Sequence, residues 1–476
     1  MRDDRRRSDR GPGERDDRRS RGRDDRGSRG RDERRPPGQD DRGSRGRDNR
    51  RDGRAPRERG DRDHDRPARP RDDRRSGTLR RLAKLEELEL EIEKIVFGGD
   101  GLGRFESIPI FVPRTAPGDR VRVRLTERKA SFARAEVLEL LEPGAGRREP
   151  PCPVYARCGG CDLQHLDDAT QLRVKIEAAR EALRRLGKVE LPGDVAVVRG
   201  DSFGYRLRTQ LQVATTDRGR EVGYFARGSH ELVPVEGCPI LVPELDQQLG
   251  ELPARLADDE HRRVDLTAGD GGKITVSPPI GELPTGEVTT RVGDLQYAYD
   301  ARCFFQAHRQ LLPRLVEEAL GDASDPEGEA FDLFAGVGLF ALPLARRYRR
   351  VVAVESDRIA MRYARKNART NGIDNVELEG VSVEAFVPTM PRGAARVLVD
   401  PPRGGLSERT RRSLRLARPR RLTYVSCQAP TLARDLADLG RVFRIDRVVF
   451  LDLFPQTGHL ETVVHLSLRD EEPPRE

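Results

Sequence analysis

The chain has 476 residues, enough for two or three domains with cores of their own. Its 36% charged content and net charge of +8 do not describe a folded average, because one region carries most of the imbalance. No apolar run is long enough to span a bilayer and none follows the basic N-terminus, which excludes a transmembrane helix and a secretory signal and makes the cytoplasm the expected compartment.

That region is the start of the chain. Up to residue 77 the only apolar residues are Met1, Ala55 and Ala68, and the nonamer DDRGSRGRD at 24–32 recurs at 40–48. No core can be built from Arg, Asp, Gly, Pro and Ser, so segment 1–80 is expected to be a disordered tail. Arginine–glycine segments can stack on and pair with RNA, or serve only as solubilising tails. The composition leaves both open.

Residues 85–145 alternate polar and apolar positions between turn glycines, as in LELEIEKIVFGGDGLGRF, and carry the turn APGD. This predicts a small β-barrel of the OB-like kind, a common nucleic-acid platform. Segment 150–300 opens on CPVYARCGGC, which holds Cys152, Cys158 and Cys161; Cys238 follows far along the chain. Disulfides are rare in the cytoplasm, so these thiols read as metal ligands. Four sulfurs suit zinc or an iron–sulfur cluster, and the spacing lacks the paired C-x-x-C of a zinc ribbon, which favours the cluster slightly. A helix is expected just after, capped by Asp167 or Asp168, and then a strand-rich stretch.

From 301 to 476 strands and helices alternate, which predicts an α/β domain with a mostly parallel, Rossmann-like sheet. Gly336, Gly338 and Ala341 form a glycine turn after a strand, and Glu355 ends the next strand, placed to hold a ribose. NAD and S-adenosylmethionine (SAM) enzymes share that pair. The DPPRGG at 400–405 separates them: an acidic group before a rigid turn can hold a base beside a methyl donor, a use that a dinucleotide enzyme lacks. Cys427 ends another strand, and His459 and Glu461 lie near a further one. A thiolate that adds to carbon 6 of uracil makes carbon 5 nucleophilic, and a base must then remove the carbon 5 proton. Cys427 and Glu461 supply that pair. Cys303 reads as a packing residue.

Together, DPPRGG, SCQAPTLARDL and FPQTGHLETV resemble the RNA 5-methyluridine methyltransferases of the TrmA family, class I SAM-dependent enzymes. CPVYARCGGCDLQHL with GCPIL looks like the iron–sulfur domain of the ribosomal-RNA branch, and 87–142 is similar to a TRAM domain. The resemblance spans about 87–470. It implies Cys427 as nucleophile, Glu461 as base, Gln306, Phe334, Glu355 and Asp400 around SAM, and a 4Fe–4S cluster on Cys152, Cys158, Cys161 and Cys238. It also implies an RNA substrate. Carrying both extra domains points to 23S ribosomal RNA, although some such members modify tRNA. Flipping of the target uridine is expected, with phosphate contacts from the barrel and from Arg206 and Arg208. The chain departs from the family at Gln428 and Ala429 after the nucleophile, at His308, at Leu339, and at Val381 and Ser382, none of which is assigned a ligand. A cytosine-5 methyltransferase shares the thiolate logic but needs a Pro-Cys signature, which is absent at Cys427, where Ser426 precedes the thiol. An RNA-binding scaffold is the non-enzymatic alternative, and the intact Cys427–Glu461 pair argues against it.

Overall fold

The computed structural model describes residues 73–191, 195–256, 261–322 and 325–469; the tail expected over 1–80 lies outside them up to residue 72. Within the expected tail, a helix Asp73–Leu82 precedes the first strand. Leu79, Leu82 and Leu85 give this stretch an apolar side, and the barrel core covers it.

The barrel is closed, in the order β1-β2-β3-β5-β4. Its strands are β1 (Glu87–Ile95), β2 (Gly101–Phe105), β3 (Ile108–Val112), β4 (Arg120–Arg128) and β5 (Ala133–Glu142). Alternation sends Leu90, Ile92, Val121 and Val123 inward. Their outward neighbours form a cross-strand ladder in which Arg122 pairs with Glu139, and Arg124 with Glu136 and Glu87. These pairs balance the charge on this face.

The predicted helix runs Asp168–Gly187, and the cap is Asp167, whose carboxylate accepts the Thr170 N–H at 2.7 Å. It packs on the helix Ala429–Leu439 so closely that a Cβ on Gly187 would stand 2.7 Å from the Ala433 carbonyl. After it comes β6 (Ala196–Arg199). Then β7 (Arg208–Thr216), β8 (Gly219–Phe225), β9 (Leu232–Pro234), β10 (Arg263–Ala268) and β11 (Ile274–Ser277) make an antiparallel sheet ordered β11-β10-β7-β8-β9. A hairpin, β12 (Val288–Val292) and β13 (Leu295–Tyr299), leads into the last sheet.

That sheet has eight strands, β16-β15-β14-β17-β18-β20-β19-β6. They are β14 (Asp325–Leu333), β15 (Tyr348–Val354), β16 (Val376–Glu379), β17 (Arg396–Val399), β18 (Arg421–Ser426), β19 (Phe443–Asp452) and β20 (Glu461–Leu468), with β6 added at the far edge. β14 to β18 are parallel, and β20 runs antiparallel between β18 and β19. Chain order reverses between β14 and β17, which opens a crevice at the carboxyl ends of those strands, where such sheets bind ligands.

Candidate active site and cysteine cavity

The crevice is built from the ends of five strands. After β14 the chain turns sharply through Phe334 at φ +72°, Gly336 at +55° and Gly338 at +94°. Phe334 is the costly one, since a side chain in the left-handed region is strained and holds only where its surroundings fix it. Here the Val354 carbonyl accepts both the Phe334 and Ala335 N–H groups at 3.0 Å. Glu355 takes the Gly336 N–H at 3.0 Å and the Asp357 N–H at 2.8 Å, which docks its carboxylate against the turn.

Across the crevice Gln306 donates to Asp400 at 3.0 Å. Burial pushes the Asp400 carboxyl up to about 7, with the Gln306 bond opposing the rise. Ser426 and Thr462 are the last pair of the β18–β20 ladder, and Cys427 and Glu461 are the next residues on the two segments, near enough to interact electrostatically. Burial holds the Glu461 carboxyl well above the usual carboxylate range, and Asp400 adds to this. Its Oε1 is buried with no hydrogen-bond partner. Burial also pushes the Cys427 thiol up to about 12, reinforced by Glu461 and Asp400 and opposed by Arg403. The structure therefore brings Gln306, Asp400, Cys427 and Glu461 into one site, with Phe334 and Glu355 on the adjoining glycine turn.

The raised Asp400 carboxyl has a stability consequence. An unfolded Asp ionises near pH 3.9 and the folded one near 7, so a folding penalty builds between those values and persists above them. Asp400→Asn removes it, a gain of about 2 kcal/mol after discounting for partial exposure. The melting temperature is expected to rise by a few degrees at pH 8 and to be unchanged at pH 4, as calorimetry would show.

The four predicted cysteines also converge. All are free thiols, and Cys152, Cys158, Cys161 and Cys238 line one cavity of about 320 Å³. Burial pushes Cys161 up to about 12 and Cys238 up to about 11. Among the described residues no three Cys, His, Asp or Glu side chains converge on a position for a single metal ion. The other wall of the cavity includes Arg403, Phe454, Thr457 and His459, from the loops that carry the DPPRGG turn and lead to Glu461. Cys303 is buried and lies outside the cavity.

Several contributors were not singled out from the sequence. Asp332, a lone acid in the apolar end of β14, is fully buried with both oxygens unpartnered, and burial holds its carboxyl far above the usual range. That lone acid was the available signal. His459, already noted in the sequence beside Glu461, sits between the Phe97 and Phe454 rings. Phe304 is 62% exposed, with the Arg208 guanidinium 5.3 Å above its ring. The departures find structural places: His308 stacks on Tyr205 and bonds the Asp201 carbonyl, while Ser382 caps the helix Val383–Phe386.

The chain is 31% identical over 442 residues to an uncharacterized RNA methyltransferase of Synechocystis, across 80% of this chain and 95% of the relative. It is 32% identical over 436 residues to the 23S rRNA (uracil(1939)-C(5))-methyltransferase RlmD of Pectobacterium atrosepticum, across 83% and 96%. The chain belongs to the TrmA family of RNA uracil-5-methyltransferases. The profile described as tRNA (Uracil-5-)-methyltransferase matches residues 285–469 of this enzyme, and that of the TRAM domain matches 83–138. The methyltransferase is also similar to the crystal structure of Pyrococcus abyssi tRNA (uracil-54, C5)-methyltransferase in complex with S-adenosyl-L-homocysteine. The TM-score is 0.62 at 26% identity, covering 79% of this chain and all of that one. The α/β domain is thus a class I SAM methyltransferase fold, and the enzyme forms 5-methyluridine in RNA. The scaffold and cytosine readings give way to this. None of the described helices is long and apolar enough to cross a membrane.

Proposed function

We propose that this methyltransferase acts in the cytoplasm on a uridine of 23S ribosomal RNA, with Cys427 as nucleophile and Glu461 as base. The observation that supports the mechanism is that the β18–β20 ladder ends at Ser426 and Thr462, beside Cys427 and Glu461, whose carboxyl and thiol interact electrostatically. Phe334, Glu355, Gln306 and Asp400 would hold SAM, which would supply an electrophilic methyl group on a sulfonium. The Cys427 thiolate adds to carbon 6 of the uracil, and the π electrons move to the carbon 4 oxygen as an enolate. Carbon 5 of the enolate would take the methyl group as the methyl–sulfur bond breaks, its electron pair staying on the sulfur, so that S-adenosylhomocysteine leaves as a neutral thioether. Glu461 then takes the carbon 5 proton, the double bond re-forms and the thiolate leaves. The resting thiol, pushed up to about 12, has to lose its proton first. Arg403 and the arriving sulfonium both favour the thiolate.

We further propose that the cysteine cavity holds a 4Fe–4S cluster. What supports this is a donor set of four soft thiols on a common cavity, together with the resemblance of CPVYARCGGCDLQHL and GCPIL to the cluster domain of the family. Protein purified without oxygen is expected to be brown, with about four irons per chain, and Cys238→Ser is expected to lose most of both. Colourless protein carrying zinc would overturn this assignment.

Support for ribosomal RNA comes from the named relative and from the TRAM domain beside the cysteine cavity. The exposed Phe304–Arg208 pair would stack on a nucleotide near the target. The test is transfer from labelled SAM to unmodified 23S, 16S and tRNA fractions, followed by digestion to nucleosides. Labelled 5-methyluridine in the 23S fraction supports the reading. The same product in tRNA alone keeps the chemistry and overturns the substrate.

A further inference from the structure

Glu461 is the first residue of β20, so its position depends on the loop that delivers it, and that loop is gripped from outside the catalytic sheet. Gln456 is the centre of the grip. It is fully buried and stands at φ +70°, a backbone conformation that a non-glycine residue keeps only when its contacts enforce it. Its carbonyl accepts the N–H groups of Asp162 and Leu163, both at 2.9 Å, directly after Cys161. Its own N–H donates to Gln171 at 3.0 Å. Its side-chain oxygen accepts from Arg148 and Gln171, each at 2.9 Å, and its side-chain nitrogen donates to the Ser202 carbonyl at 3.2 Å. Every one of these partners belongs to the cysteine-bearing half of the chain, more than 250 residues away in sequence.

Two residues on, the Gly458 N–H donates to the Asp162 carboxylate at 2.9 Å. A Cβ at Gly458 would stand 2.4 Å from the Gly98 carbonyl carbon, so the barrel also presses on this loop. By contrast, the Glu461 carboxylate leaves one oxygen unpartnered. Its place is therefore set by the backbone that carries it.

We infer that Gln456 is a positioning residue: it fixes Glu461 for proton abstraction by locking the 454–459 loop to the loop that carries Cys158 and Cys161. This rests on the reading of Cys427 as nucleophile and Glu461 as base. Thiolate addition and methyl transfer need Cys427 and the donor; only the final step, in which the carbon 5 proton leaves and the sulfur–carbon bond breaks, needs Glu461. A displaced base therefore stops the reaction at an enzyme–RNA adduct that already carries the methyl group, a signature that general damage to the fold does not produce.

The experiment compares wild type, Gln456→Gly and Gln171→Met with RNA labelled with tritium at carbon 5 of uridine. Gln456→Gly relieves the backbone strain but deletes the side-chain bonds. Gln171→Met loosens the same lock from the helix Asp168–Gly187 and leaves the catalytic loop unaltered. Four quantities are read: first-turnover methyl transfer, tritium release, denaturant-stable adduct, and iron per chain. In Gln456→Gly, first-turnover methylation is expected within a few-fold of wild type, with tritium release slower by roughly 100-fold. The adduct accumulates and iron content is unchanged. Gln171→Met gives the same split at smaller amplitude, so the idea stays testable if the glycine variant folds poorly. Tritium release that is unchanged, or that falls in parallel with first-turnover methylation in both variants, overturns the inference. If Glu461→Gln traps adduct while neither of these variants does, this inference alone fails. If Glu461→Gln traps none, the assignment of the base fails with it.

Discussion

Cys427→Ala is expected to abolish 5-methyluridine formation, with a loss of at least roughly 10⁴-fold in turnover. The reason is electronic. Carbon 5 of uracil is a weak nucleophile until a group adds at carbon 6, and Cys427 is the thiol proposed for that addition. Alanine leaves SAM and RNA binding in place, so filter binding should change little while labelled methyl transfer disappears. Full activity in this variant would sink the mechanism. The same chemistry fixes a pH dependence. The free-enzyme thiol is held up near 12, so its alkylation by iodoacetamide should rise about tenfold per pH unit through neutral pH. A cationic donor analogue should accelerate alkylation at fixed pH, because a positive charge favours the thiolate.

Glu461→Gln is expected to fail differently. Glutamine matches the size of the side chain but cannot accept the carbon 5 proton. Addition and methyl transfer proceed once, and the enzyme then stays bonded to its RNA. Steady-state turnover should fall by roughly 10²–10⁴-fold, with a methylated, denaturant-stable adduct on gels and a first turnover that is nearly intact. Folding should not suffer, since the carboxyl is already pushed towards its neutral form by burial. Parallel loss of the first turnover and the steady state would show that Glu461 acts before methyl transfer.

Much of this was legible in the sequence because it is local or chemical. The alternation of ELELEIEKI is a barrel strand, the glycine turn stands at the end of β14 where such sheets bind ligands, and Cys427 and Glu461 come to the ends of neighbouring strands. What escaped was long-range. The pairing of Arg120, Arg122 and Arg124 with glutamates of β1 and β5 shows only once β4 is laid between those strands. Nothing in Ala196–Arg199 announces a pairing with β19 some 250 residues on. Gln456 looks like any loop glutamine until its five partners are assembled. Hydrogen bonds between distant segments leave no periodicity for a sequence to show. The cysteine cavity was predicted from its thiols, but a wall shared with the catalytic loops was not.

The position of β20 bears on how the protein is made. It is the last strand in sequence, yet it lies inside the sheet, between β18 and β19. Until residues 461–468 have been synthesised and have slid into that gap, β19 and β6 have no connection to the parallel strands. The barrel can close early from neighbouring segments, but the catalytic half must wait in an open form with two apolar strand edges exposed. The chain therefore places Glu461 and completes this sheet in one event, and until then the two open edges can pair with another chain.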